Sequence, residues 1–235
     1  MTTACIVVAA GRGDRLGQGG PKALRPLAGM PLVVHAARAA AASGVIDLLA
    51  VAAPIEFVGE VDTALRKISI GVVVIPGGVS RRDSVIAALA VLPGDVDVVL
   101  VHDAARCLAP PELFATVAAS IIGGLDAVVP VLPVPDTVKE VRGDVVVTTL
   151  DRSTLRAAQT PQGFRRDVLV HAHAAAHAAA HAAVDGRATD DAGLVERLGS
   201  AVHVVPGHEH AFKVTRPLDL LLAEAVLAHG TDGVQ

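Results

Sequence analysis

The amino-acid sequence predicts a three-layer α/β protein in which helices cover both faces of a mainly parallel sheet. Short apolar runs rich in valine and isoleucine alternate with stretches of helical periodicity up to residue 131. These runs are apolar on both faces, which is typical of strands buried between two layers of helices. Aromatic residues make up only 2% of the 235-residue chain, so smaller aliphatic side chains must build the core. The alternation indicates βαβ units, right-handed crossovers and a Rossmann-like sheet.

Five strands and four helices are predicted in this first part of the chain. Pro31, Ser80 and Pro111 lie near the starts of three of the helices, where proline and N-capping residues are favoured. The predicted strands are residues 4–10, 47–53, 70–76, 97–103 and 126–131, and the predicted helices are residues 31–43, 56–67, 81–92 and 110–122.

Residues 137–150 interrupt the alternation and predict a β-hairpin. Two short strands flank the turn signal Arg142, Gly143 and Asp144. The hairpin forms the centre of an arm, at about residues 136–155, that protrudes from a single domain spanning residues 1–235. Because nothing nearby in the sequence covers it, we expect the arm to pack against a second subunit in a homodimer. The alternative is a hairpin that folds back on its own domain.

An alanine-rich segment at residues 171–183 predicts a helix. His173, His177 and His181 repeat every four residues and would line one of its faces. Zinc needs a third or fourth ligand in tetrahedral geometry, and one helix face cannot supply it. The sequence therefore favours a solvated helix face over a metal site.

The remainder of the chain predicts further short elements. Thr189 or Asp190 is expected to cap another short helix, which the segments AVHVVPG and FKVTRP follow. The chain then forms an amphipathic helix from Pro217 to about His229.

The composition restricts the class of protein and its location. A net charge of −4 argues against a dedicated nucleic-acid binder. No apolar run is long enough for a membrane span, and the first residues lack the pattern of a signal peptide. Cys5 and Cys107 lie far apart in the sequence. We therefore expect a cytoplasmic protein without disulfides.

The stretch AAGRGDRLGQGGPKAL, residues 9–24 and here called the opening loop, follows the first predicted strand. It contains five glycines, two arginines and one lysine. Glycines let backbone N–H groups approach phosphate oxygens closely, and Arg15 and Lys22 would add positive charge. The loop matches neither the P-loop nor the dinucleotide-binding pattern. It predicts an extended phosphate-binding loop, and a mobile surface loop is the alternative.

Four further stretches carry a resemblance to a known family. They are GGVSRRDSV (77–85), VHDAARC (101–107), TPQGF (160–164) and KVTRPLDL (213–220). The opening loop resembles the signature loop of sugar-phosphate nucleotidyltransferases. With the four stretches in this order, nearly the whole chain resembles the 2-C-methyl-D-erythritol 4-phosphate cytidylyltransferase family of the non-mevalonate isoprenoid route.

The resemblance implies an enzyme that transfers CMP from CTP to a polyol phosphate and releases pyrophosphate. A phosphate nucleophile is already largely ionised at neutral pH, because its second pKa is about 6. Catalysis should then depend on positioning and on charge neutralisation rather than on a strong base. The resemblance implies Arg15, Lys22 and Lys213 as catalytic cations, and Asp103 as the residue that supports Mg²⁺ on the triphosphate.

The same resemblance places CTP against small residues, so that backbone groups read the edge of the cytosine. The implied CTP-binding residues are Ala9, Ala10, Gly11, Gly78, Ser84, Asp103 and Ala104, the last two near the ribose.

In this family the arm carries the acceptor and interlocks with its counterpart across a homodimer. Arg152 and Thr160 would then reach the active site of the other subunit. The implied acceptor-binding residues are Arg106, Thr137, Arg152, Thr160 and Lys213. Arg106 follows Asp103 by three residues, and the alternative is that it pairs with that carboxylate.

Two positions depart from the family pattern. Family members often have an aspartate about three residues before the final lysine, where this chain has His210, and Glu209 is a candidate substitute. Val79 occupies a position that is often polar, so we assign its side chain no role in reading cytosine.

Two other functions are compatible with the same fold. One is a cytidylyltransferase for another polyol phosphate, such as D-ribitol 5-phosphate. The other is a non-catalytic nucleotide-binding protein, against which the joint presence of Arg15, Lys22, Asp103 and Lys213 argues. Pyrophosphate release from CTP with each acceptor in turn would distinguish them.

Overall fold

The computed structural model describes residues 1–11, 13–17, 20–181 and 190–229. The five strands and four helices predicted before residue 131 are all present, with ends shifted by no more than two residues. The strands are β1 (Thr2–Val8), β2 (Pro26–Leu27), β3 (Met30–Pro31), β4 (Leu48–Ala53), β5 (Gly71–Pro76), β6 (Val96–Asp103), β7 (Ala127–Pro133), β8 (Lys139–Arg142), β9 (Val145–Thr149), β10 (Arg156–Ala158), β11 (Gln162–Arg165) and β12 (His203–Pro206).

The helices alternate with these strands through the first half of the chain and then become irregular in spacing. They are α1 (Leu32–Ala42), α2 (Val58–Leu65), α3 (Arg81–Val91), α4 (Pro111–Ile122), α5 (Arg166–His181), α6 (Asp191–Arg197) and α7 (Pro217–His229). Over the described residues, none of the helices combines the length and hydropathy of a membrane-spanning segment.

The central sheet is mixed, with parallel strands in its middle. β1 pairs in parallel with β4 and β6, and β4 pairs in parallel with β5. β10 and β11 lie antiparallel to β7, and β11 also pairs with β6. β12 runs parallel to β7. The sequence did not predict β10 and β11, because these short strands carry arginine and glutamine instead of an apolar run.

Helices pack on both faces of the sheet, and the alternation of side chains along β1 shows how. Cys5 and Val7 lie in the core cluster that includes residues of α1, α2 and α4. Ala4 and Ile6 lie in the cluster that includes residues of α3, α5 and α6. Burial of both faces explains why the central strands β1, β4 and β6 read as continuous apolar runs in the sequence.

The N-termini of two helices carry side-chain caps that fix where the chain turns. Ser80 accepts a hydrogen bond from the backbone N–H of Asp83, and the Asp83 carboxylate accepts one from the N–H of Ser80. This reciprocal arrangement is a capping box at the start of α3. Asp190 caps α6 by accepting from the N–H of Gly193, whereas Thr189, the other predicted cap, lies outside the described residues.

A third and smaller apolar cluster holds the opening loop against the end of the chain. Leu16 is buried there with Leu27, Leu32 and Val214, beside Ala223 of α7. Leu16 comes from the opening loop and Val214 follows Lys213. The cluster therefore brings two cationic segments together that lie about 200 residues apart in sequence.

The arm is present as a separate two-stranded sheet of β8 and β9. Gly143 occupies the turn with φ of +63°, a value that glycine adopts without steric cost. All residues of both strands are exposed, and the consecutive Val145, Val146 and Val147 put apolar side chains on both faces. Two-stranded ribbons of this kind are marginal in water when nothing packs against them.

Candidate active site

A pocket opens at the carboxyl ends of three parallel strands, which is where open α/β sheets bind ligands. Its wall is formed by the residues that follow β1, β5 and β6, by the end of the opening loop and by Lys213. The lining residues are Val8, Ala9, Ala10, Gly11, Lys22, Ala23, Leu32, Gly78, Val79, Ser80, Arg81, Ser84, Asp103, Ala104, Ala105 and Lys213. The structure thus brings together all seven residues predicted to bind CTP, and two of the three predicted catalytic cations.

The turn after β5 has no room for side chains. A Cβ on Gly77 would lie 2.4 Å from the Cβ of Ala10, and one on Gly78 would lie 2.3 Å from the Cβ of Asp83. The hydroxyl of Ser84 accepts from the N–H of Gly78 and donates to the carbonyl of Ser80. Ser84, which is 1% exposed, therefore holds the backbone of this turn against the pocket.

Lys22 enters the pocket from a short 3₁₀ helix at the end of the opening loop. Gly13 lies against Lys22 and has φ of +77°. A Cβ on Gly13 would lie only 2.5 Å from the Cβ of Lys22, so there is no room for a side chain. Burial, together with the nearby charge of Lys213, lowers the pKa of Lys22 to about 8. A bound anion would therefore stabilise the charged form of Lys22, the predicted phosphate-binding lysine.

Asp103 ends β6 and binds a cation with each of its carboxylate oxygens. Lys213 Nζ donates to Oδ2 at 2.6 Å, and Arg81 Nε donates to Oδ1 at 3.0 Å. Burial favours the neutral acid, but the charges of Arg81 and Lys213 outweigh it and hold the pKa of Asp103 well below its usual value. Asp103 is therefore ionised, and it sets the position of Lys213.

The ion pairs continue into the core beyond Asp103. Arg81 Nη1 donates to Oδ2 of Asp191 at 2.5 Å, and His173 Nε2 lies 2.9 Å from Oδ1 of Asp191. Burial opposes ionisation of Asp191, yet the hydrogen bond from His173 and the charge of Arg81 keep its pKa low. Five residues thus form a continuous series of ion pairs and hydrogen bonds, here called the ionic chain: Lys213, Asp103, Arg81, Asp191 and His173.

The placement of His173 corrects a prediction from the sequence. His173 is only 3% exposed, so the histidine spacing on α5 does not mark a solvated face. It lies beside Leu169 and Ala172 on the helix stripe that packs in the core. His177 is exposed, and the side chain of His181 lies outside the described residues. Helical periodicity relative to Leu169 and Ala172 was the signal that indicated burial of His173.

Thr160 lies beneath the pocket and contacts Asp103 within its own chain. Its hydroxyl accepts from the backbone N–H of Asp103 at 3.0 Å and lies 3.1 Å from Nδ1 of His102. Thr160 is 4% exposed, so the prediction that its side chain reaches the other subunit does not fit this placement. Burial lowers the pKa of His102 to about 4, which leaves that ring neutral near pH 7.

Two glutamines beside Thr160 hold other parts of the site in place, and neither was predicted from the sequence as a site residue. Gln159 makes paired hydrogen bonds with the backbone of His208, five residues before Lys213. Gln162 donates to the Asp190 carboxylate and accepts from the N–H of Ala192, so that it holds the start of α6. Polar side chains inside the TPQGF stretch were the available signal.

Arg106 has a structural role that the sequence did not predict. Its guanidinium donates to the carbonyl of Ala211 at 2.7 Å and to the carbonyl of Ala158 at 3.1 Å. These contacts join the HDAAR turn to the segment before Lys213. Among the described residues, Arg106 lies outside the pocket lining and pairs with no carboxylate.

Three other predicted site residues lie apart from the pocket lining. Arg15 is exposed but close enough to Lys22 for its charge to lower the pKa of that lysine. Thr137 and Arg152 are exposed at the base of the arm, where Arg152 donates to the carbonyl of Pro135. The arm residues of one chain are thus not brought into the pocket of that same chain.

The two residues at the position that departs from the family pattern also lie outside the lining. Glu209 and His210 form part of a short 3₁₀ helix, and the ring of His210 packs 4.8 Å from the ring of His208. Among the described residues Asp103 is the only carboxylate in the pocket lining. In this structure neither the Glu209 carboxylate nor the His210 ring lines the pocket.

Nearly the whole chain is similar to proteins of one family. A family model described as 2-C-methyl-D-erythritol 4-phosphate cytidylyltransferase matches residues 3–229. Proteins of that name from Streptomyces avermitilis and Saccharopolyspora erythraea are 51% and 52% identical, covering 96% and 97% of this chain and 92% and 100% of their own lengths. The crystal structure of the Thermus thermophilus protein of that name is 35% identical, with a TM-score of 0.76 over 98% of this chain and 100% of its own.

Proposed function

The chain belongs to the 2-C-methyl-D-erythritol 4-phosphate cytidylyltransferase family, and from this premise we propose how its pocket carries out the reaction. The protein is a cytidylyltransferase that transfers CMP from CTP to 2-C-methyl-D-erythritol 4-phosphate in isoprenoid precursor biosynthesis. The roles of individual residues, the metal and the dimer are our proposals. They rest on one observation. Lys22, Lys213 and Asp103 line the same pocket as the small residues that follow β1 and β5.

The cytosine end of CTP lies against the residues that follow β1 and β5. Ala9, Ala10, Gly11 and Gly78 line this end of the pocket, and their small side chains let a pyrimidine edge approach the backbone. The N–H groups of Ala9 and Gly78 are bonded within the protein, so the other backbone groups of these residues would read the base. The close packing of Gly77 and Gly78 keeps this wall rigid. Asp103 and Ala104 lie at the end of β6, near the ribose.

The triphosphate lies between Lys22 and Lys213. Lys22 is partly desolvated and repelled by neighbouring cations, so a phosphate oxygen beside it restores a favourable environment for its charge. Lys213 is oriented by Asp103 at 2.6 Å. Together with Arg15, these cations stabilise the charge that develops in the transition state.

The acceptor phosphate supplies the nucleophile without a general base. One of its oxygens bonds to the α-phosphorus of CTP while the bond from that phosphorus to the bridging oxygen breaks. The electron pair leaves with pyrophosphate, whose oxygens remain beside Lys22. No proton has to move, because a phosphate monoester is mostly dianionic above its second pKa of about 6.

A divalent cation fits this site as a partner of the triphosphate. Asp103 is ionised, and each of its oxygens accepts one hydrogen bond, which leaves further lone pairs available. Mg²⁺ commonly takes one or two carboxylates and completes its shell with water and substrate phosphates. Asp103 would hold it, and the ion would neutralise charge on the triphosphate.

The acceptor is bound by residues from two subunits in a homodimer. Thr137 and Arg152 lie at the base of an exposed arm and away from the pocket of their own chain. The valines on both faces of the arm favour contact with a second copy of the chain. Arg152 of one subunit would then bind acceptor phosphate in the pocket of the other.

Because both cysteines are free thiols, we place the dimer in the cytoplasm.

Pyrophosphate release tests these assignments. CTP with 2-C-methyl-D-erythritol 4-phosphate should be the active pair, and ATP or GTP should give little product because the glycine wall fits a pyrimidine. Lys22→Ala and Lys213→Ala should each lower turnover about 100- to 1,000-fold at saturating CTP. Near-parental turnover in either variant would contradict the role of that lysine, and equal release with a purine nucleotide would contradict the assignment of the base site.

A further inference from the structure

The carboxylate of Asp191 connects the pocket to the interior of the protein. Asp191 is 1% exposed. An ionised carboxylate removed from water is strongly disfavoured unless its oxygens have partners. Here Oδ2 accepts from Arg81 and Oδ1 from His173. The two partners together determine which way the carboxylate faces.

The chemistry of this pair places a proton on a particular nitrogen of His173. An ionised carboxylate can only accept hydrogen bonds, so Nε2 of His173 must be the donor. The ring is buried on the core-facing stripe of α5, beside Leu169 and Ala172, and cannot turn towards water. The packed helix α5 thus fixes the position of Oδ1 of Asp191 through one hydrogen bond from His173.

Arg81 passes this orientation to the pocket. Its Nη1 binds Asp191 while its Nε binds Asp103, and both contacts belong to one rigid, planar guanidinium. If Asp191 turned away, Arg81 would be free to bind both oxygens of Asp103. The oxygen that holds Lys213 at 2.6 Å would then be shared or lost.

We propose that His173 is a positioning residue for cytidylyl transfer, acting through Asp191 and Arg81 on Asp103 and Lys213. The inference rests on the proposed roles of Asp103 and Lys213. Loss of the His173 hydrogen bond should misplace Lys213, and misplacement of a catalytic group lowers kcat by about 10- to 100-fold. His173 is not among the described residues that line the pocket, so the loss should fall more on kcat than on KM for CTP.

Two substitutions at this position separate hydrogen bonding from packing. His173→Leu fills similar space and removes the donor, so kcat should fall. His173→Gln places an amide N–H close to the position of Nε2 and should keep kcat within about threefold of the parental value. His171→Ala, at an exposed position on the same helix, is the matched control and should leave kcat unchanged.

A second pair of measurements distinguishes positioning from a general structural role. Arg81→Gln removes the link between the two carboxylates, so adding His173→Leu should lower kcat no further in that background. Multiplied losses would overturn the proposal, and so would parental kcat in folded His173→Leu. If the leucine variant does not fold, His173→Asn replaces it, because its shorter amide cannot reach Asp191; parental kcat there overturns the proposal equally.

The Lys213→Ala variant separates this inference from the function on which it rests. Parental turnover in Lys213→Ala would overturn the proposed role of Lys213 itself. A large loss in Lys213→Ala with parental kcat in His173→Leu would overturn the positioning role alone.

Discussion

Lys22 couples the protonation of one side chain to the binding of a polyphosphate. Its burial disfavours the charged form most strongly, and the cations Lys213 and Arg15 add to this effect against the opposing charge of Asp103. An ammonium at such a site is held ready for an anion, because the anion removes the repulsion that the empty pocket imposes. The opening loop therefore contributes affinity for phosphate through the position of one charge.

The lowered pKa of Lys22 gives an alkaline limit to activity. Lysine is charged below its pKa, so kcat/KM for CTP should fall as the pH rises through about 8, where the free enzyme loses this proton. The pH profile of kcat/KM measures the effect. Lys22→Arg retains its charge throughout this range, so its profile should lose the decline even if its absolute rate is lower. An unchanged decline in Lys22→Arg would assign the titration to another group.

Gly13 controls where Lys22 lies. A Cβ at Gly13 would meet the Cβ of Lys22 at 2.5 Å, so Gly13→Ala should displace the lysine and lower turnover by at least about 10-fold. Gly17→Ala is the matched control, because Gly17 has φ of +83° and no atom among the described residues lies within 4 Å of its Cβ position. Both variants pay the strain of a positive φ, so equal turnover in the two would show that displacement of Lys22 is unimportant.

Residues 159–162, which lead from β10 into the first residue of β11, fix three separate pieces of the site with buried polar side chains. Gln159 holds the segment before Lys213, Thr160 holds the N–H of Asp103, and Gln162 holds the start of α6. These pieces carry Lys213, Asp103 and Asp191 of the ionic chain. An antiparallel insertion into a parallel sheet thus aligns the charged groups around the pocket.

Removal of the Thr160 hydroxyl should destabilise the protein. Thr160→Val keeps the shape of the side chain but leaves the buried N–H of Asp103 and the ring of His102 without this partner, at a cost of about 1–3 kcal/mol in the free energy of unfolding. Urea denaturation measures the loss. Thr116→Val on the exposed side of α4 removes a hydroxyl bonded to the carbonyl of Glu112 and should cost clearly less. Equal costs would show that burial of the Thr160 hydroxyl does not matter.

The elements that the sequence predicted are those with a local signal. Apolar runs identified β1, β4, β5, β6 and β7. Burial on both faces leaves few polar positions in β1, β4 and β6, whereas β5 is an apolar edge strand whose residues are exposed or partly buried. β10 and β11 lack such a run. The backbone of β11 completes hydrogen bonding between β6 and β7, and the backbone of β10 pairs with β7. Their stability comes from the sheet that receives them, which no short window of sequence records.

The candidate site divides in the same way. Lys22, Asp103 and Lys213 lie in motifs with a recognisable spacing, and these residues were predicted. Arg81 and Asp191 lie 110 residues apart, and their ion pair depends on how α3 and α6 pack. The spacing of His173 to His177 predicts a solvated face, whereas its spacing to the buried Leu169 places it on the core-facing stripe of α5. Partners of this kind are determined by tertiary contacts.

The distribution of the proposed site over two subunits makes a prediction about mixtures. Lys22→Ala and Arg152→Ala should each be nearly inactive, yet subunit exchange between them should restore activity. One site of a mixed dimer carries both lesions and the other carries neither. With equal mixing about half of the dimers are mixed, so roughly a quarter of all sites should recover.

A mixture of Lys22→Ala with Lys213→Ala is the control for this experiment. Both lysines line the same pocket of one chain, so every site of a mixed dimer keeps one lesion and no activity should return. Recovery in the control, or no recovery with Arg152→Ala after verified exchange, would show that the arm does not complete the neighbouring site.

If the exposed valines of the arm hold the dimer together, the activity of each subunit depends on the concentration of the enzyme. If each pocket takes Arg152 from another chain, a lone subunit has no complete site, whatever its own fold. Specific activity per milligram should then fall on dilution below the dissociation constant of the dimer, and it should return when inactive Lys22→Ala subunits are added in excess. Enzyme concentration would act as a regulator of turnover per subunit, through a ribbon of nine exposed residues in β8 and β9 that contains no catalytic group.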